Sequence, residues 1–595
     1  MRLKRLFLGI LLSAIFVNII ASNYNPEGIS ISLKVPGNKA RRYPLALQKY
    51  QDGVYKCQSS EELPLIITRQ VVNQNGMQRI NVVIKALETV YFNYGEQIET
   101  GYKHSDCQFY MPGFWYRRNF RSPENTPSFK ISDSWLVRED RLSTPLTAVF
   151  CSSKAKSMSV IRLDKFDKEA LTTHKEGEVI VSGETSIGYT GFENVGGMTV
   201  LSYGFPYKEA PRTYIRKLTL APSVEAFQFL CKGDSITLAW ELSEIDVADF
   251  SECVQRTWEY CYDTYRPQSF NASYTADRMK EVLSNFFVDS YVDSTPTHYY
   301  SGVGLKTLTC DKTDVAEVGF LGRTLLNAFN ALEYGSLQNR SELVKDANNI
   351  FETYLSHGFS PAGFFNEVVR FHRDSKESNF SIRRQSEGVY AILSYLDYEK
   401  KHKRKHVEWE KRLKVILDNF LRIQKADGSF PRKFKDDFSI VDSTGGSTPS
   451  VTLPLVMAYK YFNDKRYLES AKRSANYLEN EIISKSDYFS STLDANCEDK
   501  EASLYAATAT YYLALVTKGA ERLHYAELCK KAAYFALSWY YTWDVPFAKG
   551  QMLGDIGLKT RGWGNVSVEN NHIDVFVFEF ADVLRWLSKE FNECR

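Results

Sequence analysis

The sequence of 595 residues carries almost no net charge, and that absence removes one class of function. Its 74 Lys and Arg residues are balanced by 72 Asp and Glu residues, which leaves a formal charge of +2. Proteins that bind nucleic acids by neutralising phosphates need a basic surplus or a basic stripe. We therefore expect no nucleic-acid partner.

The sequence also has few cysteines and none of the short motifs that hold common cofactors. Its ten cysteines are too sparse for a disulfide scaffold, and none stands in a Cys-x-x-Cys or a Cys/His zinc spacing. The phosphate loop, the dinucleotide fingerprint, G-x-S-x-G and H-E-x-x-H are all missing. We predict no cofactor and no metal, and we expect most cysteines to be buried small hydrophobic residues.

Aromatic side chains are what the sequence has in excess. The 37 Tyr, 37 Phe and 9 Trp residues make up 14% of the chain. Aromatic faces stack on sugar rings, but filling a hydrophobic core is their commoner use. The hydrophobic share of 44% and the charged share of 25% are those of an ordinary folded domain, which excludes disordered and fibrous classes.

The N-terminus has the pattern of a secretory signal peptide. Three basic residues among the first five precede a mostly apolar stretch, 6–20, and small residues follow at 21–22. We expect residues 1–22 to be removed and the protein to be secreted or periplasmic; an uncleaved anchor is the alternative. No later segment approaches the roughly 18 uncharged apolar residues of a membrane span, so we expect no span after signal removal.

The residue pattern changes near position 265 and predicts two domains. From 23 to 265, short apolar and aromatic runs alternate with turn clusters, which is typical of a large antiparallel β-sandwich. Residues 266–274, rich in turn-forming side chains, predict a linker. From 275 to 595 the apolar period is helical, and polar loops run repeatedly into helices. Such hairpins form an open solenoid or a closed α/α toroid, and the long, unequal loops favour the toroid.

Acidic residues concentrate at the predicted start of one of these helices. In LDANCEDKEAS, 493–503, the candidates are Asp494, Asp499 and Glu501. Acids in a first helical turn are favoured by the helix dipole, and Asn496 with Asp499 three residues later looks like a cap. Four acids within eight residues exceed what capping needs, so we expect one or two of them to face a ligand.

A second helix start, SIRRQSEGVY at 381–390, carries Arg384, Gln385 and Glu387. Arg384 and Glu387 stand three residues apart and share one face of a helix. Either they form a local ion pair, or Glu387 is a catalytic carboxyl whose pKa is set by the neighbouring guanidinium group.

The stretch from 561 to 576 is the richest in binding chemistry. An aromatic ring stands there beside hydrogen-bonding groups, which is how proteins bind sugars. Its candidates are Arg561, Trp563, Asn571, His572 and Asp574. A lone histidine such as His572 is more often structural, so it counts as a weaker signal.

Two further pairs complete the candidates. Asp314 and Glu317, which a helix would place one turn apart, fit either capping or substrate binding. Trp115 and Arg117 belong to the aromatic run MPGFWYRRNFRSP, 111–123. That run is either a plug between the domains or one wall of the site.

With its strand-rich region followed by these helix-start loops, the sequence resembles exported carbohydrate-active enzymes that join an N-terminal β-sandwich to a C-terminal (α/α)6 toroid. The resemblance is one of architecture and covers nearly the whole mature length. Many glycoside hydrolases and phosphorylases of this fold place the sandwich first, whereas toroidal polysaccharide lyases usually place the toroid first. The resemblance therefore implies a hydrolase acting on a carbohydrate partner.

Three functions follow as hypotheses. A glycoside hydrolase needs two carboxyls; the first candidates are Glu387 and Asp499, with Asp494, Glu501 and Asp574 as reserves. A lyase acting on a uronate needs a base, such as His572, and a neutralising group, such as Arg384 or Asn571. A glycan-binding protein needs no catalytic group. In each case the funnel of the toroid is the expected site, while the sugar, the linkage and the oligomeric state stay open.

We assign the catalytic and binding roles on the hydrolase hypothesis. Replacing Glu387 by Gln or Asp499 by Asn is expected to lower turnover at least about a hundredfold in a protein that still folds. The substrate-binding residues would be Arg384, Gln385, Arg561, Trp563, Asn571, His572, Asp314, Glu317, Trp115 and Arg117.

Overall fold

The computed structural model describes residues 28–74, 76–172, 176–265, 274–294, 297–300, 303–306, 309–312, 315–320, 323–370, 379–489, 496–574 and 580–593. The predicted signal peptide, most of the predicted linker and the candidates Asp314 and Asp494 lie outside these residues. Within the described ranges, no helix combines the length and the apolar character that crossing a membrane requires. Of the cysteines whose side chains are described, Cys231 is exposed and the others are buried, as expected.

The described chain divides into two compact units. The first holds the described residues up to Phe120, Glu124–Cys253 and Tyr541–Arg561, and the second holds Arg121–Pro123, Val254–Tyr540 and the described residues from Gly562 onward. The division therefore falls before residue 265, where the sequence pattern changes, and one late segment returns to the first unit. Composition does not reveal this return, because the return depends on which core the late segment packs against.

The first unit is built from strands that pair antiparallel, apart from the parallel pair of β12 and β16. Their bounds are β1 Gly28–Lys34, β2 Arg41–Gln51, β3 Val54–Gln58, β4 Leu65–Gln74, β5 Met77–Ala86, β6 Val90–Lys103, β7 Cys107–Met111, β8 Trp115–Arg117, β9 Trp135–Arg138, β10 Leu146–Cys151, β11 Lys156–Arg162, β12 Gly177–Ile180, β13 Tyr189–Val195, β14 Met198–Phe205, β15 Lys208–Arg216, β16 Thr219–Leu230 and β17 Ser235–Asp246.

These strands form two layers around one core. One layer runs β2–β1–β6–β14–β13–β9, and the other runs β3–β4–β5–β17–β11–β10–β7–β8. Strand β2 pairs with both β1 and β3, so it belongs to both layers. Alternate residues turn inward, and the rings of Tyr203 and Trp240, from opposite layers, lie 5.0 Å apart. This is the predicted sandwich.

The second unit contains almost all the helices, together with short strands. The helices are α1 Phe250–Tyr265, α2 Ala276–Ser290, α3 Thr324–Leu337, α4 Ser341–His357, α5 Ile382–Lys401, α6 Val407–Ile423, α7 Pro449–Phe462, α8 Lys465–Tyr477, α9 Lys500–Val516, α10 Gly519–Leu537, α11 Met552–Asp555 and α12 Phe580–Phe591, of which α11 lies in the first unit. The short strands are β18 Tyr291–Ser294, β19 Thr297–Tyr300, β20 Val303–Lys306, β21 Thr309–Lys312, β22 Val315–Glu317, β23 Val368–Arg370, β24 Phe380–Ser381, β25 Lys433–Phe434, β26 Ile440–Asp442, β27 Gly564–Ser567 and β28 Asn570–Asp574.

Four consecutive hairpins, α3/α4, α5/α6, α7/α8 and α9/α10, organise the described helices. The first helices of the hairpins, α3, α5, α7 and α9, also pack side by side and form an inner row. Helix α9 is buried on every face from Lys500 to Thr510, whereas α4 and α6 bury a single face. Inner helices buried all round and outer helices buried on one face are the arrangement of an α/α toroid. The predicted fold class, an antiparallel β-region followed by a toroid-type helical domain, is confirmed.

Candidate active site

The starts of α3, α5 and α9 bring five charged or polar side chains together in the second unit. Arg383 and Glu387, one turn apart in α5, contact Arg323, which precedes α3, and Glu501 and Tyr505 of α9. We call these five residues the helix-start cluster. Apart from Arg323, which is slightly exposed, their side chains are buried.

The carboxylate of Glu387 lies at the centre of the cluster and is surrounded by hydrogen-bond donors. Its Oε1 accepts hydrogen bonds from Arg383 Nε at 3.1 Å and from Arg323 Nη2 at 3.2 Å. The hydroxyl of Tyr505 and the backbone N–H of Phe320 donate to it as well. Burial alone would raise the pKa of this carboxyl, but the two guanidinium groups and the other donors outweigh it and hold the pKa of Glu387 below its usual value. Glu387 is therefore an ionised anchor for two arginines, which is the opposite of what a proton donor needs.

Asp499 and Glu501 have different tasks at the start of α9. Asp499 is fully buried and caps the helix, because its Oδ1 accepts the backbone N–H of Ala502 at 3.0 Å. Glu501 is buried and its carboxylate is in ion-pair contact with Arg383. Asp499 is therefore a capping residue. Glu501 neutralises the buried guanidinium group of Arg383.

Arg384 contacts acids other than Glu387. Its Nη2 lies 3.7 Å from Glu317 Oε1, its Nη1 lies 3.9 Å from Glu367 Oε2, and its buried Nε has no hydrogen-bond partner among the described residues. The ion pair within α5 is made by Arg383, four residues before Glu387, rather than by Arg384. The guanidinium group of Arg384 also lies 5.7 Å from the ring centroid of Phe320, so its contacts are longer than those of Arg383.

Gln385 and Glu317 also differ from their sequence-based descriptions. Gln385 is fully buried; its Nε2 donates to the backbone oxygen of Phe365 at 2.8 Å and to Glu367 Oε1 at 3.0 Å, so it fastens a loop to α5. Glu317 lies in strand β22 rather than in a helix. Its side chain is 25% exposed, which leaves a carboxylate within reach of solvent.

A second charged pair joins Lys500 of α9 to Asp574 of β28. Lys500 is completely buried, whereas the side chain of Asp574 is 27% exposed. Gly564 stands opposite Asp574 in the hairpin of β27 and β28, and a Cβ there would lie 2.8 Å from Lys500 Nζ. Because residue 564 is a glycine, Lys500 can approach Asp574.

The remaining candidates of the stretch 561–576 are divided between the two units. Trp563 and Asn571 are half-buried in the second unit, and the side chain of His572 lies outside the described residues. Arg561 belongs to the first unit, where its exposed guanidinium group lies 3.8 Å from the carboxylate of Asp544. The hairpin therefore brings only part of this stretch to the second unit.

The first part of the aromatic run, 111–116, is buried in the first unit. Trp115 is completely buried, and its ring lies 5.2 Å from that of Phe192. Arg117 is half-buried, with a φ of 60° that places it in the left-handed region. The core-filling use of aromatics thus accounts for Trp115.

Sequence reasoning missed four residues of this region. Arg383 and Lys500 stand inside the two helix-start motifs, and the spacing of four residues between Arg383 and Glu387 was an available signal. Arg323 and Tyr505 had no local signal, because their contacts with Glu387 join residues 64 and 118 positions apart.

Two carboxylates of this region reach solvent, and each lies beside a basic residue. They are Glu317 beside Arg384, and Asp574 beside Lys500. In the part of the chain that the structure describes, no three His, Cys, Asp or Glu side chains form a set of metal ligands. The chemistry this arrangement offers is proton transfer by carboxyl groups whose charge is balanced by neighbouring cations.

Gly319 provides a test of how tightly the cluster is packed. A Cβ at this position would lie 2.5 Å from Glu387 Oε2 and 2.9 Å from Arg384 Cα. Gly319→Ala is therefore expected to destabilise the protein by about 1–3 kcal/mol through overpacking, as measured by urea unfolding. Gly183→Ala, whose Cβ would meet only a side-chain methyl at 3.2 Å, is the control. Equal stability of the two variants would contradict the packing described.

No protein-family model and no curated protein matches the sequence. Solved structures that resemble the chain include an unsaturated glucuronyl hydrolase specific for heparin, with 12% identity over 58% of this chain and 85% of that chain and a TM-score of 0.34. A cellobiose 2-epimerase from Bacillus thermoamylovorans has 12% identity over 53% of this chain and 82% of its own, with a TM-score of 0.38. A polysaccharide lyase has 10% identity over 87% of this chain and 86% of its own, with a TM-score of 0.32.

These three structures are carbohydrate enzymes, and they catalyse three different types of reaction. Their sequence identities of 10–12% and TM-scores of 0.32–0.38 transfer no residue role to this chain. A role for any residue here therefore depends on its own contacts.

Proposed function

We propose that this protein is an exported glycoside hydrolase that acts on a glycan containing an acidic sugar. The observation that carries the proposal is the difference in exposure between the carboxylates at the helix starts and those of strands β22 and β28. Glu387, Glu501 and Asp499 are buried and engaged, whereas Glu317 and Asp574 are each about one-quarter exposed. Hydrolysis of a glycosidic bond needs two carboxyl groups that touch the substrate, and among these five described carboxylates Glu317 and Asp574 have access to it.

The two exposed carboxylates each pair with a basic residue that is next in the sequence to a member of the helix-start cluster. Arg384, which contacts Glu317, is the neighbour of Arg383 in α5, and Arg383 pairs with Glu501. Glu501 follows Lys500, which pairs with Asp574. We infer that the buried acids hold the basic residues in place, and that the basic residues position the two catalytic carboxyls.

In the proposed reaction one of the two carboxyls protonates the leaving oxygen, and the other activates water or attacks the sugar. Arg384 binds the carboxylate of a uronate, because the contacts of its guanidinium group with Glu317 and Glu367 are long, at 3.7 and 3.9 Å, and leave room for a closer anion. Trp563, half-buried on the same unit, supplies an aromatic surface for a sugar ring.

The type of product tests the proposal. Purified protein would be incubated with pectins and glycosaminoglycans, while reducing-end release and ultraviolet absorbance are followed in parallel. We expect new reducing ends without new absorbance, because hydrolysis adds water and leaves no double bond. Reducing ends accompanied by absorbance would contradict hydrolysis and indicate β-elimination, for which Arg384 would neutralise the uronate carboxylate.

A further inference from the structure

A cavity of about 290 Å³ lies within the first unit. Its wall includes Arg138, Tyr207, Glu209 and Thr213, together with Phe547 from the segment that returns to this unit. Its volume is at the lower end of the roughly 300–1,000 Å³ of small-molecule sites. None of these residues belongs to the helix-start cluster, so the cavity is not part of the proposed active site.

Two buried polar side chains in this wall make no side-chain hydrogen bond to a described residue. Glu209 is 0% exposed, and neither of its carboxylate oxygens makes a hydrogen bond of normal geometry to a described residue. Its ion-pair partner, Arg141 Nε, is 3.8 Å away. The hydroxyl of Thr213, 4% exposed, also has no partner among the described residues. Buried polar groups are costly without partners, so two of them in one cavity indicate a polar occupant.

The other polar groups of the cavity are held rigidly. Arg138 forms a bidentate pair with Asp140 at 3.0 and 2.7 Å and stacks on the ring of Tyr207 at 3.8 Å. Glu169 accepts the hydroxyl of Thr185 at 2.9 Å. A site with fixed donors and acceptors loses little entropy when a ligand binds.

The charge of the cavity is close to balanced at neutral pH. Burial raises the pKa of Glu209 to about 7, against the opposing effect of Arg141 and Arg138, and it raises the pKa of Glu169 to about 7 as well. The raised pKa values lower the negative charge that these two carboxyls carry at neutral pH, and the carboxyls face the cations of Arg138 and Arg141 at 3.7 and 3.8 Å. A balanced set of donors and acceptors beside aromatic rings suits a neutral ligand with several hydroxyl groups better than an ion.

We propose that this cavity is a second, non-catalytic site that binds one neutral sugar residue through hydroxyl groups at Glu209 and Thr213. The volume admits a single ring. The carboxyl of Glu209 accepts or donates to one hydroxyl, and the hydroxyl of Thr213 binds a neighbouring one. The aromatic ring of Phe547 offers an apolar surface for the C–H face of the sugar.

Calorimetric titration of the full-length protein at pH 7 tests this site. The probes are the methyl glycosides of glucose, galactose, mannose and N-acetylglucosamine, with methyl glucuronide as the acidic counterpart. We expect saturable binding of at least one neutral glycoside, weakened at least about tenfold by Glu209→Gln and by Thr213→Val. Both variants keep the shape of the side chain, and thermal unfolding checks that each is folded.

Two controls separate this site from the active site. Glu184→Gln changes an exposed acid of the same unit, 66% exposed and paired with Lys168, and should leave binding unchanged. Glu317→Gln should also leave it unchanged, even where it abolishes hydrolysis. Binding that is lost in Glu317→Gln but kept in Glu209→Gln would overturn the proposal, and so would a preference for methyl glucuronide. Absence of binding to every neutral probe would show that the cavity holds only water, and would overturn it too.

Discussion

Replacing Asp574 by Asn or Glu317 by Gln is expected to lower kcat at least about a hundredfold, the low end of what general acid–base catalysis contributes. Each change removes a titratable carboxyl while keeping its shape. Glu317 is 25% exposed and contacts Arg384 only at 3.7 Å, so Glu317→Gln should remain folded. Asp574→Asn removes the ion-pair partner of the completely buried Lys500, so this variant is expected to lose stability as well. Initial rates on the glycan that gives the strongest reducing-end signal would measure the effect, with urea unfolding as the check on folding.

Matched controls for this pair lie on the same helical unit. Asp397→Asn removes a carboxyl that is 54% exposed and paired with Lys401 in the last turns of α5. Glu408→Gln removes one that is 66% exposed and paired with Lys411 in α6. Neither is expected to change the rate by more than about twofold, since exposed ion pairs of this kind contribute little. Near-normal turnover in both Asp574→Asn and Glu317→Gln would exclude them as the catalytic pair.

Replacing Glu387 by Gln is expected to destabilise the second unit by about 3–5 kcal/mol, the usual cost of removing one partner from a buried ion pair. Arg383 would keep Glu501, but it and Arg323 would lose the carboxylate that they share. Urea unfolding, monitored by tryptophan fluorescence, measures the loss. Glu408→Gln is again the control, with an expected change below about 0.5 kcal/mol.

The stability difference at Glu387 should depend on pH in a defined direction. The pKa of this carboxyl is held below its ordinary value of 4.5 in the folded protein. The wild-type protein therefore gains stability from ionised Glu387 at pH values above 4.5, and loses it as the pH falls through the folded pKa. The gap between the wild-type protein and Glu387→Gln should narrow on acidification below about pH 4.5. A variant that is as stable as the wild-type protein but inactive would instead return Glu387 to a catalytic role.

This expectation changes how a loss of activity in Glu387→Gln or Asp499→Asn would be interpreted. From the sequence, both variants were expected to fold and to lose turnover. Asp499 caps α9 and Glu387 anchors two arginines, so either change acts first on the folded state. Activity data on these two positions therefore need a stability measurement beside them.

Periodicity alone predicted the order of the architecture. Alternating runs indicated the β-sandwich, and the helical period after it indicated hairpins, because burial of one face leaves its period in the sequence. The same patterns placed polar clusters at the starts of α5 and α9. Those clusters are where the structure brings Arg383, Glu387, Glu501 and Tyr505 together.

The role of each carboxylate was decided by tertiary structure. Glu387, Asp499 and Asp574 look equivalent in the sequence, yet the first is buried against two arginines, the second caps a helix and the third reaches solvent. The sequence determined which residue types stand at the helix starts. Whether a carboxyl stabilises the fold or is free to act on a substrate depends on burial and on partners 64 to 118 positions away, and only packing of the whole unit sets those.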